Sequence, residues 1–268
     1  MQDILSQIVA DKVVEVARAQ ESLPAEELRA RALASPAPSR SFSGALAASQ
    51  SGIIAEFKRR SPSKGWIHEN VKPQQVVPLY AAGGAAALSI LTDGKYFGGE
   101  LDFIRQMRPL VDIPILRKDF IISEYQLLEA REAGADAVLL IAACLSLEEC
   151  CRLAACAHSL GLEVLLEVHS AAELPYLQAK PDAVGVNNRN LGTFHTDVQN
   201  SFNILEELKA AARQSGVSVL VSESGISSPD TVKRLREVGY RGFLMGENFM
   251  KHADPGAALS AFVKELSI

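Results

Sequence analysis

No block of a single charge runs through this sequence: 27 Lys and Arg stand against 32 Asp and Glu, leaving a formal net charge of −5 over 268 residues. Without a basic stretch, nothing points to nucleic acid as a partner. No apolar run reaches the roughly 18 residues that a membrane-spanning helix needs, so no membrane partner is expected. The opening MQDILSQIVADKVVEVARAQ lacks a signal-peptide core, and its Asp3, Asp11 and Glu15 run against the acid-poor composition of a transit peptide. A cytoplasmic location is the expectation. Cysteine is scarce and crowded, with Cys144, Cys150, Cys151 and Cys156 in one helical stretch that has neither metal-ligand spacing nor paired histidines. They read as reduced, structural thiols, and no metal is implied.

Apolar residues are plentiful, at 48% of the chain, enough for a sizeable core. Their arrangement repeats. In AAGGAAALSI, EAGADAVLLI and EVGYRGFLMG a helical pattern stops at Gly83, Gly134 or Gly239, and an apolar strand follows within a few residues. Glycine serves there because it reaches the left-handed conformation that ends a helix. SEYQ from Ser123, SLEE from Ser146 and SAAE from Ser170 each set a hydroxyl three residues before Gln or Glu, the capping-box pattern of a helix start, and Ser228 with Pro229 adds another entry.

Apolar runs near residues 52–58, 86–92, 113–118, 136–142, 162–168, 183–188, 217–223 and 242–246 give eight strands, with helical patterns between them and a last helix from about Pro255 to Leu266. Such strands alternating with helices predict an α/β fold with a parallel sheet. Eight units in roughly 220 residues favour a closed (β/α)8 TIM barrel over an open doubly wound sheet. Residues 1–48 read as an N-terminal helical extension, with Pro24 in a first turn, a Glu27–Arg31 pair at i, i+4, and a loop at ASPAPSRSFSGA. Residues 1–268 are thus expected to form a single barrel domain with the extension packed on it as a lid.

Barrels of this class build their sites where strands end and loops begin. Here the strand ends carry charge. Glu56 and Lys58 lie two apart on one strand face, Lys118 ends the third strand, Glu167 the fifth, Asn187 and Arg189 the sixth, Glu223, Ser224 and Gly225 the seventh, and Gly246 the eighth. One such residue alone is usually a solvated or salt-bridged group, so the ring as a set carries the inference. Arg59, Arg60 and Arg117 fall out of phase and read as salt-bridge partners of surrounding helices; Asp119 reads as a turn acceptor. Trp66 either covers the site or shields the rim. Gly225 and Gly246, with the hydroxyl of Ser224, suit phosphate binding, a role the loops after the last two strands often serve.

The ordered motifs AEFKRRSPSKG, LTDGKYFGG, LRKDFI, GADAVLLI, LLEVH, VGVNNRNL, VSESGI and FLMGENFM resemble those of indole-3-glycerol phosphate synthase over residues 50 to 250, and the helical extension fits that family too. The resemblance implies ring closure of 1-(2-carboxyphenylamino)-1-deoxyribulose 5-phosphate with loss of carbon dioxide and water. It implies no redox cofactor or metal, and a small anionic sugar phosphate as the partner, in a monomer or weak homodimer. By the same resemblance Lys118 is the acid that protonates the ketone oxygen, Glu167 the base or proton shuttle, and Lys58 the acid of the dehydration. Glu56 holds Lys58 protonated, with Glu223 in the same charge network. Asn187 and Arg189 suit the anthranilate carboxylate and sugar hydroxyls. Ser61, Ser224, Gly225 and Gly246 suit the phosphate, and Phe97, Phe120 and Leu140 suit the aromatic ring, with core packing the competing reading for Leu140. Asn188 and Asn190 are expected to be tolerated variants, and Glu247 to turn only its backbone amide inward.

Two other readings stay open at this point. A sugar-phosphate isomerase on the same fold would want a carboxylate or Cys as acid and base at the ends of strands one and five or six, whereas here strand one ends in Glu56 and Lys58 together and strand three adds Lys118. A sugar-phosphate-binding barrel without activity is the other, and turnover separates it from an enzyme.

Overall fold

Residues 4–190 and 195–266 are described by the computed structural model; Asp3 and Leu191, used above, lie outside them. Eight parallel strands close into a barrel: β1 (Ile53–Phe57), β2 (Ala87–Leu91), β3 (Ile115–Lys118), β4 (Ala137–Ile141), β5 (Glu163–Val168), β6 (Ala183–Asn187), β7 (Val219–Glu223) and β8 (Gly242–Met245). Each lies inside its predicted run. β1 pairs with both β2 and β8, so no strand edge is left open.

The helix boundaries follow local chemistry. Ser123 and Ser146 form capping boxes with Gln126 and Glu149, and the Ser228 side chain accepts from the Thr231 amide, with Pro229 opening its helix. Gly134 and Gly239 adopt positive φ as expected, but Gly83 does not; its neighbour Gly84, at φ 96°, makes the reversal into β2. Ser170 departs from expectation as well. Its side chain caps nothing, because Glu173 accepts instead from the His169 amide, and the segment that follows is 3-10 over Ala171–Ala179.

Strand alternation divides the core into two layers. Ile54, Leu116, Leu139, Leu165, Val221 and Leu244 point into the barrel, whereas Ala55, Leu88, Val138, Leu140, Leu166 and Val184 pack against the surrounding helices. The extension touches the barrel in three ways. Helix α1 (Ile4–Ser22) sends Ile4, Leu5 and Ile8 to the mouth at the strand C-termini. Helix α2 (Ala25–Ala34) lies along the helix Glu124–Ala133 and carries the Glu27–Arg31 pair at 2.6 Å. Helix α3 (Phe42–Ala48), capped by Ser41, begins inside the stretch expected to be a loop and runs past its end. Its Phe42 and Leu46 join the inner barrel cluster beside Ile54 and Val219 and close the floor. α1 is therefore the lid element, and α3 is a plug at the opposite end.

Candidate active site

Register decides which side chains meet. Glu56 pairs laterally with Ser89, and Ser89 with Leu116. Strand tilt in an eight-stranded barrel raises the level by about one residue for each strand crossed, so the residue level with Glu56 two strands on is Lys118. The same step through Leu139 and Leu165 reaches Glu167, and through Gly185 and Val221 reaches Glu223. Four ionisable groups from β1, β3, β5 and β7 thus form one layer, directly above inner layers of Leu, Val and Ile. Room for them is made by glycine. A Cβ on Gly185 would lie 2.0 Å from Glu223 Oε1, and one on Gly246 would lie 2.5 Å from Glu56 Oε1.

Above this layer opens a cavity of about 500 Å³, lined by Lys58, Asn187, Arg189, Ser224, Gly225, Gly246, Phe97 and Phe120 as well as by the four ionisable groups. Lys118 Nζ stands 3.2 Å from Glu167 Oε2 and 3.8 Å from Glu223 Oε2, and Lys58 Nζ is 2.6 Å from Glu56 Oε1. Asn187 Nδ2 donates to Glu167 Oε1 at 3.0 Å, and the Asn187 side-chain oxygen accepts from the Arg189 amide. Phe97 and Phe120 form a wall with ring centroids 6.1 Å apart.

Electrostatics gives these groups different protonation states. Burial raises the Glu167 carboxyl, but Lys118 and His169, together with the Asn187 bond, more than offset it and hold the group well below the usual carboxylate range. Glu223 goes the other way. Burial and the neighbouring Glu167 charge push it up to about 8, and its Oε1 has no hydrogen-bond partner among the described residues. Burial alone would lower Lys118, yet Glu167, Glu223 and Glu56 raise it far above the ordinary lysine value, so it stays an ammonium. Glu56 is held low against its burial by Lys58 and then Lys118.

Three expectations need correction. Leu140 faces the helix layer, since strand alternation turns Leu139 and Ile141 to the cavity instead. Ser61 is buried in a two-residue strand paired with Gly65–Trp66, and the loop turns Pro62, Ser63 and Lys64 to the cavity in its place. Glu247 brings its carboxylate, not only its amide, to the cavity edge, where Lys64 Nζ lies at 2.5 Å and Arg189 at 3.9 Å. The two cations offset the carboxylate charge there.

Asn188, expected to tolerate change, is also a structural anchor. It donates to Ser222 Oγ and the Ser224 carbonyl and accepts from the Ser201 amide and hydroxyl, fixing the strand end that carries Ser224. Arg117 behaves as foreseen, paired with Glu129 on the next helix and with Asp119. Asp119 does more than accept within a turn, because it also binds Thr92 and Lys12. Trp66 stacks under Arg59 and Arg60, 45% exposed, and takes no part in lining the cavity. The reading from sequence overlooked His169, whose ring nitrogens stand 3.3 Å from Glu167 and 3.5 Å from Glu173; only its place two residues beyond Glu167 in LLEVH hinted at it.

Comparison with known proteins gives the chemistry a context. The tryptophan synthase alpha-subunit of Pyrococcus furiosus, in a mutant structure, superposes with a TM-score of 0.61 at 16% identity, covering 81% of this chain and 98% of that one, and shares the fold. An indole-3-glycerol phosphate synthase of Bacteroides thetaiotaomicron is 59% identical over 266 residues, 99% of this chain and 100% of that protein. One from Azoarcus sp. is 46% identical over 97% of this chain and 99% of its own length. The family model described as indole-3-glycerol phosphate synthase matches residues 5–262, and the chain belongs to that family.

Proposed function

We propose that this chain's ring closure runs on Lys118, Glu167 and Lys58, with the substrate phosphate at Ser224, Gly225 and Gly246 and its aromatic ring against Phe97 and Phe120. The activity itself is that of an indole-3-glycerol phosphate synthase, a carboxy-lyase of tryptophan biosynthesis acting on a small phosphorylated substrate. In this reading residues 1–268 act as one barrel domain in the cytoplasm.

The aniline nitrogen pushes electrons into the ring, and the ring carbon that bears the carboxylate attacks the sugar ketone. Negative charge grows on the ketone oxygen, and Lys118 delivers a proton there; an ammonium held charged in a closed site stabilises that charge as it forms. The new carbon–carbon bond leaves an iminium cation. Breaking the bond to the carboxylate releases carbon dioxide and returns its electron pair to the ring system. Dehydration completes the indole: Lys58 protonates the departing hydroxyl, which leaves as water, while Glu167 removes the proton from the adjacent carbon. Arg189 and Asn187 suit the carboxylate and hydroxyl groups of the substrate.

The observation that best supports this division of labour is the separation of protonation states within one layer. Lys118 is kept an ammonium and Glu167 a carboxylate, 3.2 Å apart at the floor of the cavity. The test is incubation of the purified protein with the carboxyphenylamino sugar phosphate while indole fluorescence is followed. Glu167→Gln is expected to lower kcat by about 10²- to 10⁴-fold with the fold intact. Turnover equal to wild type in that variant contradicts the base role.

A further inference from the structure

Helix α1 is joined to the barrel through one buried cation. Lys12 is 1% exposed, and its Nζ lies 3.0 Å from Asp93 Oδ2, 3.0 Å from Asp119 Oδ1 and 3.0 Å from Glu15 Oε2. An ammonium withdrawn so far from water is tolerated only where carboxylates surround it, and the same holds for each carboxylate in turn. Asp93 and Asp119 are both buried, and they belong to different strand ends.

Each of those carboxylates holds a piece of the cavity wall. Asp93 Oδ1 accepts from the Tyr96 amide and so caps the short turn Gly94–Phe97, which presents Phe97. Asp119 follows Lys118 directly, and its Oδ1 accepts from the Phe120 amide at 2.8 Å. On the helix side, Ile8 stands one turn before Lys12 and lines the cavity with Ile4 and Leu5. Asp11 adds contacts of its own, accepting from Lys95 Nζ and from the Tyr96 hydroxyl of the same turn. The apolar wall is therefore assembled from three separate elements that share one charge at their junction.

We propose that Lys12 is a positioning residue for the aromatic half of the substrate: its ammonium, bridging Asp93 and Asp119, fixes Ile8, Phe97 and Phe120 as one wall of the cavity. The proposal rests on the assignment of Phe97 and Phe120 to the substrate ring. Lys12 touches neither substrate nor reacting atoms; it acts through the two carboxylates. The phosphate end, built from β7 and β8, shares no residue with this junction, so the two ends of the substrate should respond differently to its loss.

Lys12→Met keeps the aliphatic stem and removes the charge. The expected result is a rise in KM for the carboxyphenylamino sugar phosphate of about 10-fold or more, the scale of a wall displaced by a fraction of an ångström to one ångström. Competitive inhibition by inorganic phosphate should keep its constant within about twofold, because its site is remote from the wall. A folded variant with wild-type KM overturns the proposal, as does an equal loss of phosphate inhibition, which would mean general loosening. If Lys12→Met does not fold, Ile8→Ala decides: it trims the same wall without disturbing the charges, and an unchanged KM refutes the wall. Failure of the underlying assignment looks different, since Phe97→Ala would then leave KM unchanged while Lys12→Met still moved it.

Discussion

Glu167 and Glu223 carry the same functional group in the same barrel layer, and their surroundings drive them apart. Glu167 has a cation or donor at each oxygen, whereas Glu223 has Lys118 at 3.8 Å and the Glu167 carboxylate beside it, and its Oε1 has no hydrogen-bond partner among the described residues. One proton is thus kept on Glu223 near neutrality. As pH rises through about 8 it is lost, a further negative charge appears beside Lys118, and that lysine becomes a weaker acid. The profile of kcat/KM is expected to fall on an alkaline limb near pH 8, and Glu223→Gln to remove that limb. A limb that stays in place in the variant contradicts the assignment. The sign for stability follows from the same shift: between its ordinary value of 4.5 and about 8 the folded chain holds a proton that the unfolded chain has released. Stability therefore declines as pH rises through that window and is level above it.

At the scale of the element, the strands were legible because a buried parallel strand must be apolar nearly throughout, and their charged ends stood out against that background. The ring of Glu56, Lys118, Glu167, Asn187 and Glu223 could be named for that reason. Phase was harder to read. Leu139, Leu140 and Ile141 are all apolar, so composition does not tell the inward pair from the outward residue, and only register does so. Ser61 failed for another reason: the loop after β1 turns back as a two-residue hairpin, and nothing in RRSPSKGW fixes which serine faces the cavity. Lys12 was invisible as well, since its buried carboxylate partners Asp93 and Asp119 lie far along the chain.

Gly246 shows why small residues matter in these strand ends. It is a candidate for binding the phosphate, and its lack of a side chain also leaves space for Glu56, which Lys58 holds at 2.6 Å. Gly246→Ala is expected to push the Glu56 carboxylate off Lys58 and lower kcat/KM by about 10-fold or more. Its backbone φ of −122° lies outside the left-handed region that favours glycine, and the fold is expected to survive. Wild-type kcat/KM in this variant, measured by indole fluorescence, would show that the space is not needed.

Across the whole molecule, charge and hydrophobic packing are divided along the barrel axis. Phe42 and Leu46 of α3 close the floor with apolar surface, the inner strands fill the middle, and the inward-facing ionisable groups Glu56, Lys118, Glu167 and Glu223 form the layer beneath the mouth. There Lys58, Lys118, Arg189 and His169 face the carboxylates of Glu56, Glu167 and Glu247 while Glu223 keeps its proton near neutrality, so an anionic substrate meets fixed cations. Helix α1 covers one side of this mouth, which puts both ends of the extension to use. Among the described residues no helix is long and apolar enough to cross a membrane.

The proposed mechanism stands on Lys118 as the proton donor to the ketone. Its most direct test is the rate of indole formation by Lys118→Ala at saturating substrate, compared with the wild-type protein. The account predicts a loss of about 10²- to 10⁴-fold with substrate affinity within a few-fold of wild type. Turnover close to the wild-type rate would contradict it.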